Sequence, residues 1–165
     1  MVSARDIVPK ISILYVDDEP ALLEIGKLNL EKGRDISVTT AMSAPEAIRL
    51  HSMHSYDAIV SDYQMPGMDG VAFLKHIRAE GDYTPVIIFT GKGREEVAID
   101  ALNSGANFYL RKGEDPASQF SKISDKICSA VFLRRAEEEA KTNHSQMLSI
   151  GSSTTYVGRS NFSCP

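Results

Sequence analysis

"DAIVSDYQMPGMDGVAFLKHI", residues 57–77, holds one strand, one turn and the start of one helix. The run from Asp57 to Ser61 is short, apolar and bounded, as a buried strand is. Pro66 and Gly67 then turn the chain, Asp69 offers a cap, and Phe73, Leu74 and Ile77 recur at helical spacing. Asp62 stands between strand and turn, so a buried strand delivers a carboxylate to its own end.

The same unit repeats along the chain. Ile11 to Val16, Ile36 to Thr40, Val86 to Phe89 and Asn107 to Leu110 read as four further strands. Helical spacing follows each of them: Ala21, Ile25 and Leu28; Ala44, Ala47 and Ile48; Val97, Ala98, Ala101 and Leu102; Phe120, Ile123, Ile127 and Val131. Start signals agree: Glu19-Pro20, the capping box Ser43 to Glu46, and Asp115-Pro116. Strands alternating with amphipathic helices predict an α/β fold, a doubly wound five-stranded parallel sheet with helices on both faces and right-handed crossovers. Ligands of such sheets bind at the carboxyl ends of the strands.

Composition sets the outer bounds. At 165 residues the chain suits one domain with a short addition. A net charge of −4 offers no general attraction to nucleic acid. No apolar run approaches the roughly 18 residues of a membrane span, and the first ten residues lack a signal-peptide core. A cytoplasmic protein with no direct nucleic-acid or membrane partner is expected. Cys128 and Cys164 form no metal-like spacing and no disulfide framework.

The strand ends carry an unusual set of groups: Asp17-Asp18 after the first strand, Asp62 after the third, Thr90 after the fourth and Lys112 after the fifth. Three converging carboxylates repel one another unless a cation sits among them. An all-oxygen donor set selects a hard ion such as Mg²⁺ or Mn²⁺. A lysine and a hydroxyl beside it make a receptor for a phosphoryl group. Other candidates are weaker. His51 and His54, three residues apart, suit the C-terminus of a helix better than a metal site. The TGKGR stretch at 90–94 lacks the earlier glycine and the following Ser/Thr of a phosphate-binding loop.

Singly, Thr90 would pass for a helix cap and Lys112 for a solvated lysine. Together, Asp17-Asp18, Asp62 with Pro66 four places on and Gly70 beyond, Thr90 after VIIF, and Lys112 after Tyr109 resemble the receiver domain of two-component response regulators. The resemblance covers roughly residues 8–133 and implies the flavodoxin-like receiver fold.

The resemblance also implies roles. Asp62 would accept a phosphoryl group from a phosphohistidine on a histidine kinase or phosphotransfer protein. Asp18 would hold Mg²⁺ directly and Asp17 mainly through water, with Asp62 and the backbone carbonyl of Gln64 completing the protein ligands. Lys112 and Thr90 would contact the phosphoryl oxygens. Inward movement of Thr90 would admit the ring of Tyr109 and remodel the surface of helix 4, strand 5 and helix 5, toward a downstream signalling protein or a homodimer partner. Gln64 and Lys92, two residues after Asp62 and Thr90, would set the phosphate lifetime. Such a protein catalyses only its own phosphorylation and dephosphorylation. The alternatives are a docking module without phosphorylation, the N-terminal receiver fragment of a hybrid sensor kinase, and an aspartyl phosphohydrolase; the last needs an aspartate where Gln64 stands.

Two positions depart from the family pattern. Gly113 follows Lys112 where proline is usual, which predicts a looser lysine loop. Gly91 follows Thr90 where alanine is common, which eases backbone movement. Beyond the domain, RRAEEE and its neighbours at 134–141 resemble helical linkers, so the fifth helix is expected to be extended. From residue 142 the composition shifts to Ser, Thr, Asn and Gly, and 142–165 reads as a disordered tail with no output domain.

Overall fold

Isoleucine and valine are the commonest residues of five strands: β1 (Ile11–Val16), β2 (Ile36–Ala41), β3 (Ala58–Ser61), β4 (Val86–Thr90) and β5 (Phe108–Arg111). The structure, a computed structural model, describes residues 10–32, 35–91, 94–113 and 115–160, with side chains as far as residue 150. All pairings are parallel, in the order β2-β1-β3-β4-β5. β3 and β4 are buried along their whole length and β1 nearly so. Their sequences therefore read as continuous apolar runs rather than alternating ones.

Helices α1 (Pro20–Glu31), α2 (Ala44–Met53), α3 (Gly70–Ala79), α4 (Glu95–Asn103) and α5 (Pro116–Ser160) connect or follow the strands. Three starts are fixed as the sequence predicts: Ser43 Oγ accepts from the Glu46 amide, Asp69 Oδ1 from that of Ala72, and Asp115 Oδ2 from that of Ser118. On one face of the sheet, Leu23 and Leu30 of α1 and Phe120, Ile123, Ile127 and Val131 of α5 pack with Ile13, Tyr15, Val60 and Phe89. On the other, Ala47, Phe73, Leu74, Ile77 and Ala101 bring α2, α3 and α4 onto Leu14, Val16, Ile59 and Ile88.

The buried stripe of α1 differs from the expected one. Ile25 and Leu28 are 37% and 66% exposed, and the buried residues are Leu23, Gly26 and Leu30. A Cβ at position 26 would overlap Cε1 of Tyr15 and stand 2.9 Å from Cε1 of Phe120. The helix approaches the sheet along its glycine, a position that a count of apolar side chains passes over.

The chain divides into a compact unit up to Val131 and a second from Phe132. Within the second, Arg134 Nε donates to Glu138 Oε1 at 3.1 Å and Thr142 Oγ1 to the Glu138 carbonyl at 3.0 Å. Residues 142–160, which composition suggests are a disordered tail, are helical. Ser, Thr and Asn each cost a helix only a few tenths of a kcal/mol relative to better formers. No proline intervenes between Pro116 and Pro165 to stop it. Among the described residues, no helix is long and apolar enough to cross a membrane.

Candidate functional site

From β1 the chain crosses to β2 on one side of the sheet and from β3 to β4 on the other, which opens a crevice between the C-terminal ends of β1 and β3. Asp17 and Asp62 stand at those two ends. The Asp17 amide donates to the Ala41 carbonyl at 3.1 Å and the Asp62 amide to the Val16 carbonyl at 2.8 Å, so the ladder holds both backbones. Asp17 Oδ1 also accepts from the Glu19 amide at 3.0 Å, which ends the strand and starts α1. One carboxylate oxygen each from Asp17, Asp18 and Asp62 lie within 4.8 Å of one another.

Lys112 enters from the end of β5. Its Nζ lies 2.7 Å from Asp17 Oδ2, 3.5 Å from Asp62 Oδ1, and 5.4 Å from the centroid of the Phe89 ring. Thr90, 1% exposed at the end of β4, gives a side-chain hydrogen bond to Asp62, and the Tyr63 amide donates to Asp62 Oδ1 at 2.9 Å. Burial pushes the Asp62 carboxyl above the usual carboxylate range; Lys112 opposes this, the Asp17 charge adds to it, and the two hydrogen bonds draw it partly back.

The segment after Asp62 is built around two glycines. Gly67 takes φ +82° in the turn, and the Gly70 amide donates to the Tyr63 carbonyl at 2.8 Å. A Cβ at position 70 would overlap the Asp62 carbonyl oxygen, which also accepts from Ser61 Oγ at 2.9 Å. Glycine at the head of α3 thus lets the helix abut the strand end that carries Asp62. At position 91 a Cβ would meet Lys112 only at 3.8 Å, so glycine there is not required by space.

These groups line a cleft of about 590 Å³ formed by Asp18, Glu19, Asp62, Gln64, Met65, Pro66, Thr90, Gly91 and Lys112. Asp17, Asp18, Asp62, Thr90 and Lys112 are brought together, with Gln64 on the cleft wall. Lys92 lies outside the described residues. Tyr109 pairs with Ile88 in the β4–β5 register and so lies diagonal to Thr90 on the same face of the sheet. Its hydroxyl is buried and has no hydrogen-bond partner among the described residues.

The oxygen-only donor set of Asp17, Asp18 and Asp62 suits a hard divalent cation, and the partial exposure of Asp18 leaves room for water beside it. Sequence reasoning passed over Glu19, which lines the cleft, and Gln119, whose Oε1 accepts from the Gly113 amide at 2.9 Å. The signal for Gln119 was present: glycine in place of proline at 113 adds a main-chain donor that needs an acceptor. His51, near the C-terminus of α2, places its Nε2 2.8 Å from Asp82 Oδ2.

The model of the response regulator receiver domain family matches residues 13–124. The chain belongs to that family. Receiver domains serve two-component signalling and are not enzymes of the ordinary kind. This receiver is 38% identical over 123 residues to an uncharacterized 14.6 kDa protein of Leptolyngbya boryana, covering 73% of this chain and 92% of that one. It is 30% identical over 148 residues to the response regulator GtcR of Aneurinibacillus migulanus, covering 90% of this chain and 57% of the relative. The chain thus spans little more than half the length of that regulator. Among solved structures, a receiver domain from Clostridium thermocellum superposes with TM-score 0.68 at 32% identity, over 76% of this chain and 98% of that one. The Francisella response regulator 1452 receiver domain gives 0.69 at 29%, over 76% and 99%.

Proposed function

We propose that this receiver accepts a phosphoryl group on Asp62 from a phosphohistidine of a histidine kinase or phosphotransfer protein. The observation that carries the reading is the convergence of three carboxylates, the Lys112 ammonium and the Thr90 side chain at one cleft. An Asp62 carboxylate oxygen attacks phosphorus, the phosphorus–nitrogen bond breaks, and the imidazole leaves with the electron pair. For a loose, metaphosphate-like transition state, placement and charge neutralisation are nearly the whole of catalysis. Burial at the end of β3 and the Tyr63 amide hold Asp62 in place, and Lys112 neutralises charge on the transferred oxygens. When bound by Asp17, Asp18, Asp62 and the Gln64 carbonyl, Mg²⁺ would supply further neutralisation of phosphoryl charge.

Once modified, Asp62 carries roughly −1.5 to −2 charges and three new acceptor oxygens. Thr90 donates to one of them, and Tyr109, diagonal to it, follows into the space released. That movement shifts a pre-existing equilibrium of the α4, β5 and α5 surface, through which a downstream protein or a second copy is engaged. Residues 8–133 carry this function, 134–141 act as a helical linker, Gln64 and Lys92 set the phosphate lifetime, and the compartment is the cytoplasm.

The test is the intact mass of the protein and of Asp62→Asn after exposure to a small acyl phosphate, with and without Mg²⁺. One phosphoryl group added to the wild type alone, and only with Mg²⁺, is the expected result. Equal labelling of Asp62→Asn, or none of the wild type where another receiver is labelled, would overturn the reading.

A further inference from the structure

The amides of Lys112 and Gly113, on either side of the Lys112 carbonyl, each donate a hydrogen bond, one to a main-chain and one to a side-chain oxygen. The Lys112 amide donates to the Thr90 carbonyl at 2.9 Å, the last strand-like bond between β4 and the chain leaving β5. The next amide, that of Gly113, donates at 2.9 Å to Oε1 of Gln119, a side chain only 9% exposed in the first turns of α5. Gly113 has φ +143°, a conformation closed to proline, whose ring fixes φ near −65° and which has no N–H to give. The acceptor is itself held. Phe120, the neighbour of Gln119, packs edge-on against Phe89 at 5.8 Å and Tyr15 at 6.2 Å, which ties this turn of α5 to the sheet. The same Phe89 ring lies under the Lys112 ammonium.

We propose that Gln119 is a positioning residue for Lys112: its amide oxygen fixes the Lys112-Gly113 backbone so that the ammonium is held at the carboxylates of Asp17 and Asp62. This rests on the phosphoacceptor reading above. Glycine at 113 does not leave the lysine loop loose; a side-chain acceptor from α5 supplies the constraint that a proline ring would impose. A small displacement of a charge-neutralising group costs a rate far more than it costs stability.

The experiment follows phosphoryl incorporation from a small acyl phosphate in the wild type, Gln119→Ala, Gln119→Glu, Lys112→Ala and the double variant Gln119→Ala/Lys112→Ala. Gln119→Glu keeps an acceptor oxygen at the same reach. Gln119→Ala is expected to slow incorporation roughly ten-fold, Gln119→Glu to restore most of it, and Gln119→Ala to have no further effect once Lys112 is gone. An unchanged rate in Gln119→Ala, or an undiminished loss in the Lys112→Ala background, overturns the assignment. A wild type that takes up no phosphoryl group sinks the phosphoacceptor reading instead. The positioning claim is then decided by amide hydrogen exchange in the full chain. Protection of Gly113 and an ordered Lys112 in the wild type and Gln119→Glu, both lost in Gln119→Ala, would support it; identical behaviour in all three would not.

Discussion

Lys112 is bonded more closely to Asp17 than to Asp62: Nζ stands 2.7 Å from Asp17 Oδ2 and 3.5 Å from Asp62 Oδ1. Asp17 is wholly buried, and among the described residues Lys112 is the cation paired with it and with Asp62. A divalent cation bound there shares the site with a fixed ammonium. Lys112→Ala is therefore expected to bind Mg²⁺ more tightly than the wild type. Even at the dielectric of bulk water, two unit charges about 4 Å apart repel by about 1 kcal/mol, and more where the site is partly buried, so a gain of roughly five-fold in affinity or more is expected. Calorimetric titration without a phosphoryl donor measures it, and weaker binding by the variant would refute the competition.

The contact between position 70 and the Asp62 carbonyl makes a second expectation. Alanine ordinarily favours a helix over glycine by about 1 kcal/mol. Here its methyl group must displace either the head of α3 or the strand end, an overpacking cost of about 1–3 kcal/mol. Gly70→Ala should be net destabilising in urea unfolding and should slow labelling of Asp62, because the backbone moved belongs to that residue. A stabilised variant would show that the helix shifts without strain.

Why did the sheet, the meeting of the strand-end side chains and three helix starts read so plainly, while α1 and the lysine loop did not? Strand identity depends on local runs such as ISILYV and VIIF, and a parallel sheet buried on both faces makes those runs continuous. Asp17, Asp18, Asp62, Thr90 and Lys112 follow strands directly, so topology alone brings them together. The α1 face depends on Gly26 meeting Tyr15 and Phe120, a close approach across three elements that leaves no apolar signal at position 26. Gln119 reaches Gly113 across the start of α5, a side-chain to main-chain bond that spacing does not encode. The helix past residue 142 is a third case, where composition argued for disorder although no proline interrupts the chain.

Asp82 gives a pH dependence away from the cleft. Burial raises its pKa, but the hydroxyl and amide of Thr84, both 2.7 Å from Oδ1, and His51 outweigh that and leave the carboxyl below the usual range. A carboxyl depressed in the folded state stabilises it above the unfolded pKa of about 3.9, and that contribution is lost as pH falls through the folded value. Asp82→Asn should therefore lower Tm by about 2–4 °C at pH 7 and flatten the loss of stability below about pH 4. An acid limb as steep as that of the wild type would show that the carboxylate contributes nothing net.

Tyr15 offers the sharpest test of packing beneath the site. Its ring is fully buried between Gly26 and Phe120, yet its hydroxyl has no hydrogen-bond partner among the described residues. Burial, and then the charges of Asp17 and Asp62, push its phenol well above the ordinary tyrosine range, so it stays a neutral donor at any working pH. Removing an unsatisfied buried hydroxyl while keeping the ring avoids a desolvation cost of about 1 kcal/mol or more. Tyr15→Phe should accordingly be as stable as the wild type or more stable by about 1 kcal/mol, with Asp62 labelled at an unchanged rate. A clear loss of stability would mean that the hydroxyl is satisfied in solution, by water or by a shift toward the carboxylates above it.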